Sequence, residues 1–339
     1  MNIVFVGTAN GTARHRVEAM RRLGHKVSVV DPRPRWAATK FWRSYIFQTS
    51  AFGLQLSIAA HLEKQISAAQ PDLIWVNQGE YMGPKPIQVL KARGSPLVCY
   101  LNDDPFAGGI RSRRFRNFRK VLTSYDLVSV VRDENEAEMR AAGARKVIRV
   151  RMSADEVAHA PFAINPDTPS PLKSDVSFIG TWFPERGPFL LTLVRAGVPL
   201  SIWGTNWEKA PEWEQLRPHF RGSALDPNHG YSEAVAWSKV SLGLLSKENR
   251  DTHTTRSIEI PAIGGLLCAE RTKEHLTMYR EDIEAVFWAD ADECARKCHA
   301  LLADDSAREA IRLAGQRRAL TSGYLNEAVI ETILQAVPS

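Results

Sequence analysis

The residues best able to do chemistry stand in one stretch, Ser238–Glu270, which reads SKVSLGLLSKENRDTHTTRSIEIPAIGGLLCAE. Val240–Leu245 is an apolar run with the length of a buried strand. Thr254–Ile263 carries Ile258, Ile260 and Ile263 beside Arg256 and Glu259, and Leu266–Ala269 is a second short apolar run. The stretch therefore spells strand, polar loop, helix start, Gly264–Gly265 stop and strand. A loop at the carboxyl end of a strand in an open α/β sheet is where a ligand sits. That loop is Lys247–Thr255: its hydroxyls and the first amides of the following helix make an anion site, and Arg256 adds a fixed charge. Glu259, one turn further on, suits hydroxyl groups such as a ribose diol, which a carboxylate accepts in pairs. Loop and helix thus suit a nucleotide. Without a ligand, the same residues read as an exposed helical i, i+3 pair and a glycine stop.

This run, R-x-x-E-x-x-x-x-G-G before a short strand, resembles the donor-binding segment of GT-B-fold glycosyltransferases, and most closely the CgeB-like, group-1 type. Arg256, Glu259, Gly264 and Gly265 match it. In the wider retaining group a second acid precedes the ribose-binding Glu by eight residues, and here that place holds Asp251, one methylene shorter. The resemblance implies a donor site that also takes in Lys247 and Thr255, and it implies that the first loop of a second domain meets the donor diphosphate. Gly180, Thr181 and Arg186 occupy that loop, after the strand expected at Asp175–Ile179. An arginine at a helix start is disfavoured by the dipole and makes more sense beside an anion.

Composition fits this reading. At 339 residues the chain suits two domains, and 44% apolar with 24% charged residues is ordinary for a soluble globular protein. No apolar run reaches membrane-spanning length, and the opening MNIVFVGTANG reads as a strand and a Gly turn, not a signal peptide, so a cytoplasmic location is expected. Cys99, Cys268, Cys294 and Cys298 form no C-x-x-C pair; reduced buried thiols are expected and a structural zinc is not. The net charge of +6 is uneven, with 25 Lys and Arg against 14 Asp and Glu in residues 1–165, which favours an anionic partner for the first half.

The first half opens with a buried strand at Ile3–Val6, a glycine turn and a helix over 12–23, which carries Arg14, His15 and Arg16 near the strand ends. It lacks a G-x-G-x-x-G, so no dinucleotide cofactor is expected. His15 stands where a base could reach a cleft. Strands at Leu73–Val76 and Leu97–Leu101 end in NQGEY and NDDPF, which puts Glu80, Asp103 and Asp104 beside the same cleft. They suit acceptor binding or general-base work, and Asp104 is favoured as the base because Pro105 locks the backbone beside it. Asn-Asp-Asp-Pro is also a good turn sequence. The aromatic and basic segment Trp36–Phe52 reads as a partly buried connection, suited also to the floor of an acceptor site or a membrane-facing rim. In Arg111–Lys120, RSRRFRNFRK, six of ten residues are Arg or Lys, and Phe115, Phe118 and Leu122 lie at helical spacing. This predicts one amphipathic helix with a solvated arginine face, or alternatively a peripheral membrane contact.

The proline-rich run from Ser153 to Lys173, with Pro161, Pro166, Pro169 and Pro171, reads as a linker. The expected layout is an acceptor domain over 1–160, a linker over 161–173, a nucleotide-sugar domain over 174–322, and a last helix over 323–339 that, by resemblance, crosses back to the first domain. The fold class is α/β, two Rossmann-like domains facing across a cleft. The resemblance implies transfer of a sugar from a nucleotide-diphosphate donor to a hydroxyl or amine of a protein, glycan or lipid-linked acceptor, with the nucleotide open among UDP, GDP, TDP and CMP. No metal is expected, because no D-x-D or His/Asp cluster ends a strand; positive groups and helix dipoles would carry the leaving diphosphate. Two alternatives are an epimerase of the same fold and a non-catalytic nucleic-acid binder, the latter suggested by a pI near 9.2 but lacking any module motif.

Overall fold

Short continuous runs of β-branched and other apolar residues, closed by Gly, Asn or Asp, become strands buried on both faces. In a computed structural model that describes residues 1–165, 167, 170–226 and 229–338, twelve of them form two parallel sheets. The first sheet has β1 (Asn2–Val6), β2 (Lys26–Val30), β3 (Leu73–Asn77), β4 (Leu97–Tyr100), β5 (Leu127–Val130) and β6 (Val147–Arg149), in the order β2-β1-β3-β4-β5-β6. The second has β7 (Ser174–Ile179), β8 (Leu200–Trp203), β9 (Phe220–Gly222), β10 (Ser238–Gly243), β11 (Leu267–Glu270) and β12 (Val286–Trp288), in the order β12-β11-β10-β7-β8-β9. Every pairing is parallel. Strand order reverses between β1 and β3 in one sheet and between β7 and β10 in the other. These are the switch points where crevices open.

The chain divides into two units. The first takes Met1–Met152, Glu248–Arg250 and the residues from Asn326 on; the second takes Ser153–Lys247 and Asp251–Leu325. In the first, the helix Asn326–Gln335 buries Val329, Ile330 and Ile333 with Val17 and Met20, and Arg22 Nε meets Glu327 Oε1 at 2.6 Å. In the second, Ala154 bridges to Leu325, so residues 153–160 belong with this unit. Pro166 and Pro169 of the expected linker lie outside the described residues, as do the side chains of Arg35, Lys40 and Arg111.

Two segments differ from expectation. Trp36–Phe52 is not a connection but a 3-10 turn, Arg35–Ala38, followed by the helix Lys40–Thr49, which Ser50 stops at φ 57. The expected single helix over 111–120 is two short ones, Gly109–Arg113 and Arg116–Lys120, with Phe115 at the joint. Phe115, Phe118 and Leu122 are 1%, 0% and 1% exposed, so they are core and cannot turn toward lipid headgroups. Two of the arginines serve the fold as well. Arg114 pairs with Asp103 and Glu80, and Arg119 Nη1 donates to the carbonyls of Pro105 (2.5 Å) and Ser112 (3.0 Å). Arg113, Arg116 and Lys120 remain at the surface.

Candidate nucleotide site

Beside the second unit's switch point, the turns after β7 and β8 meet backbone to backbone. Gly204, just past β8, has φ +136, and a Cβ there would lie 2.0 Å from the Gly180 carbonyl oxygen. Only glycine fits. Gly180 N–H donates to Trp203 O at 2.9 Å, Trp207 Nε1 donates to Gly180 O at 3.0 Å, and the hydroxyls of Thr181 and Thr205 are 3.1 Å apart. These bonds hold the turns after β7 and β8 together and floor a recess of about 340 Å³, whose walls are Trp203, Ser223–Asp226, Tyr231 and Arg256. A second recess of about 180 Å³ shares Ile179, Gly180, Thr181 and Arg256 with it and adds Phe183, Arg186, Leu244, Thr254 and Thr255. The larger volume suits small-molecule binding, with mostly backbone and small side chains at its floor, and the smaller recess extends it past Arg256. Gly204→Ala is expected to destabilise the protein by about 2 kcal/mol and to abolish ligand-induced thermal stabilisation. An unchanged melting curve would mean the two turns are not in contact.

Arg186 opens the helix Arg186–Arg195 and is 9% exposed. Its Nη1 donates to Thr181 O at 2.8 Å, its Nη2 to Leu244 O at 3.0 Å, and its guanidinium lies 4.3 Å from the Phe183 ring centre. The carbonyls come from the loops after β7 and β10, so this one side chain ties the two strand ends that flank the switch point. Thr254, Thr255 and Arg256 bring the positive end of the helix Arg256–Ile263 to the same wall. Pro261 within this helix cannot donate to Ser257 O. That carbonyl instead accepts the Tyr279 hydroxyl at 2.8 Å, which removes the cost of the missing bond.

Glu259 lies deeper than a ribose-binding residue reached from the recess. It is 1% exposed, its carboxylate accepts from Arg256 Nη1, and His159 Nε2 is 3.6 Å away. His159 Nδ1 accepts from the Asp155 N–H at 2.9 Å, which leaves the ring proton on Nε2, toward Glu259. Burial pushes the Glu259 carboxyl up, but Arg256 and His159 outweigh it and hold it below the usual carboxylate range. Burial also raises the Tyr231 hydroxyl well above its ordinary value. Arg256 lies 4.4 Å over the Tyr231 ring. The groups that face the recess are thus Arg256 and Tyr231, with Glu259 behind them. Tyr231 and His159 carry no spacing signal that links them to Glu259 in the sequence, because the fold brings them from separate segments.

The other residues expected at this site are spread around it. Asp251 Oδ2 accepts from the Ser246 N–H at 3.2 Å and shapes the loop; Lys247 pairs with Glu270, and its N–H donates to Glu185 Oε1 at 3.2 Å. Gly264 caps the helix at φ +104, and a Cβ there would meet Gln316 Nε2 at 2.8 Å; one at Gly265 would meet Val235 Cγ1 at 2.6 Å. Close packing accounts for both glycines, and neither lines the two recesses.

In the first unit, Arg14 is exposed and His15 half-buried on the helix Gly11–Arg22, while Arg16 donates to Asn77 Oδ1 at 3.1 Å and lies 4.2 Å over the Tyr100 ring. Arg114 brings Glu80 and Asp103 together, and burial raises the Glu80 carboxyl despite that arginine. Asp104 is 2% exposed and accepts from the Phe106 N–H (2.8 Å), Asn135 Nδ2 (2.8 Å) and Arg250 Nε (2.5 Å). Although burial pushes its carboxyl up, these donors hold it below the usual range. A carboxylate so bound anchors its neighbours and is a poor proton acceptor.

Residues 186–335 match the family model described as glycosyl transferase-like. No curated protein sequence matches the chain. Among solved structures, sucrose-phosphate synthase from Thermosynechococcus elongatus superposes with a TM-score of 0.69 at 14% identity, over 99% of this chain and 98% of its own. Anabaena Alr3699/HepE, solved with UDP and glucose, gives 0.64 at 15% over 99% and 98%, and a glycosyltransferase from Rickettsia africae gives 0.62 at 12% over 98% and 97%. At these identities the likeness speaks for the fold. The fold is GT-B. Its two parallel six-stranded sheets with flanking helices are the expected α/β class.

Proposed function

We propose that the chain is a nucleotide-sugar-dependent glycosyltransferase of the CgeB-like, group-1 type, which uses a UDP-linked donor and a hydroxyl or amine acceptor. The observation that carries this is the paired recess over the carboxyl ends of β7, β8 and β10, beside the second unit's switch point, whose wall joins Gly180, Thr181, Arg186 and the helix start Thr254–Arg256. The glycosyl transferase-like match covers Arg186, Arg256 and Glu259, and the Anabaena structure, of the same fold, was solved with UDP and glucose. In this reading the larger recess takes the base and ribose between Trp203, the 223–226 loop and Tyr231. The smaller one takes the diphosphate.

The chemistry follows from charge. As the bond between the anomeric carbon and the phosphate oxygen breaks, negative charge grows on the diphosphate, and Arg186, Arg256 and the helix dipole stand fixed around that position. No metal is required for this work. The proton of the acceptor falls to the first unit. Glu80, whose proton affinity burial raises, suits that task better than Asp104, and His15 is the second candidate. Calorimetry with UDP, GDP, TDP and CMP, followed by mass spectrometry of products with the matching sugars, tests the proposal. Binding of UDP in the micromolar range is expected, and no heat with any of the four nucleotides would end it.

The acceptor is a protein, a glycan or a lipid-linked group. For the last of these, contact with an anionic membrane rests on Arg113, Arg116 and Lys120 and on the exposed aromatic rings of Trp36 (42%), Phe41 (69%) and Phe52 (74%). Arg113→Gln with Arg116→Gln is expected to weaken retention on anionic vesicles by about 1 kcal/mol per charge and to leave UDP binding unchanged. Wild-type protein that stays in the supernatant at low salt would remove the membrane role. Among the described residues, no helix is long and apolar enough to cross a membrane.

A further inference from the structure

Three of the chain's four cysteines converge in the second unit. Cys268 is on β11, and Cys294 and Cys298 lie one turn apart on the helix Ala291–Ala303 that packs over the sheet. Their Sγ atoms all lie within 4.8 Å of one another. Each is free and 0% exposed, in a core shared with Leu242, Val286 and Leu301. The fourth, Cys99, belongs to the first unit's core. A single buried thiol is only a small apolar filler. Three in mutual reach are a donor set.

Which guest fits is decided by ligand number and charge. Structural zinc takes four ligands, and the residue that could add one, His299, has its Nε2 bonded to Ala196 O at 2.9 Å. Copper(I) on three thiolates would be a doubly negative complex, and a divalent ion a singly negative one. In an apolar core, each uncompensated charge is strongly disfavoured because it loses its hydration. A trivalent metalloid with three thiolates is neutral, and its lone pair takes the place of a fourth ligand. It buries no charge.

We propose that Cys268, Cys294 and Cys298 form a closed binding site for a trivalent thiophilic metalloid of the arsenite class. The exchange balances without an oxidant or reductant. Arsenous acid, As(OH)₃, and three thiols give As(SR)₃ and three waters, with three As–O and three S–H bonds replaced by three As–S and three O–H bonds. Entry needs a local opening of the helix Ala291–Ala303, so binding is slow. Once bound, the metalloid cross-links that helix to β11 and stabilises the folded state by mass action.

The test uses the full, reduced chain equilibrated with arsenite and then desalted. One arsenic per chain is expected, with a first shell of three sulfurs and no oxygen by X-ray absorption. Cys268→Ser, Cys294→Ser and Cys298→Ser should each weaken retention by about tenfold or more, whereas Cys99→Ala should keep it. A wild type that retains no arsenic, an oxygen left in the first shell, or full retention in any of the three serine variants overturns the proposal. If the serine variants do not fold, the sulfur count in the wild type and in Cys99→Ala decides it.

Discussion

Glu259→Gln is expected to destabilise the protein by about 3 kcal/mol and to weaken nucleotide binding only as a consequence. The carboxylate is 1% exposed and is met by Arg256 and by the Nε2 of His159. An amide keeps the shape and loses the charge, so Arg256 must hold its own charge at the wall of a recess with nothing behind it to offset it. Removing one partner of a buried pair costs about 3 to 5 kcal/mol, and the lower end applies because the Arg256 side chain keeps 36% of its surface in water. Urea unfolding followed by tryptophan fluorescence reads this directly. A midpoint shift of less than about 1 kcal/mol in equivalent stability would show that Glu259 is no part of the scaffold.

The same pair sets a pH dependence. Because the folded-state carboxyl of Glu259 is held below its unfolded value of ~4.3, its contribution is complete above that value and is lost as pH falls through the folded pKa. Wild-type stability should therefore fall between neutral pH and acid more steeply than that of Glu259→Gln. Parallel curves would remove the linkage.

Much of this was legible in the sequence, for identifiable reasons. Strands such as Ile3–Val6 and Leu73–Val76 are continuous apolar runs because both faces are covered, and the run Val240–Leu245 marks β10, which starts two residues earlier at Ser238. β9 was not legible. It has three residues, lies at the sheet edge and exposes Arg221, so neither length nor pattern marks it. The helical spacing of Phe115, Phe118 and Leu122 gave the buried face correctly, although the helix itself breaks at Phe115. At the site, Arg186 and Arg256 were marked by their places at helix starts after strand ends. The depth of Glu259 was not, since an i, i+3 pair has the same spacing whether it faces water or a core. Tyr231, His159 and the meeting of Cys268 with the Cys294–Cys298 pair are products of tertiary packing between distant segments, which periodicity cannot report.

Arg186→Ala is expected to lower kcat with a UDP-sugar by about 10²- to 10³-fold, as removal of a preorganised donor to developing charge does, with a much smaller change in KM. The guanidinium is fixed from two sides by the carbonyls of Thr181 and Leu244 and stacked on Phe183. It need not reorganise as charge appears on the leaving diphosphate, so its effect grows between ground state and transition state. Arg256→Ala should act in the same direction and should also destabilise the unit, because it strands Glu259. Arg186→Lys should recover little, since a lysine cannot donate to both carbonyls in one plane or stack on the ring. If Arg186→Ala raises KM for the donor and leaves kcat unchanged, the residue holds the ground state only, and the charge of the departing diphosphate is met by other groups.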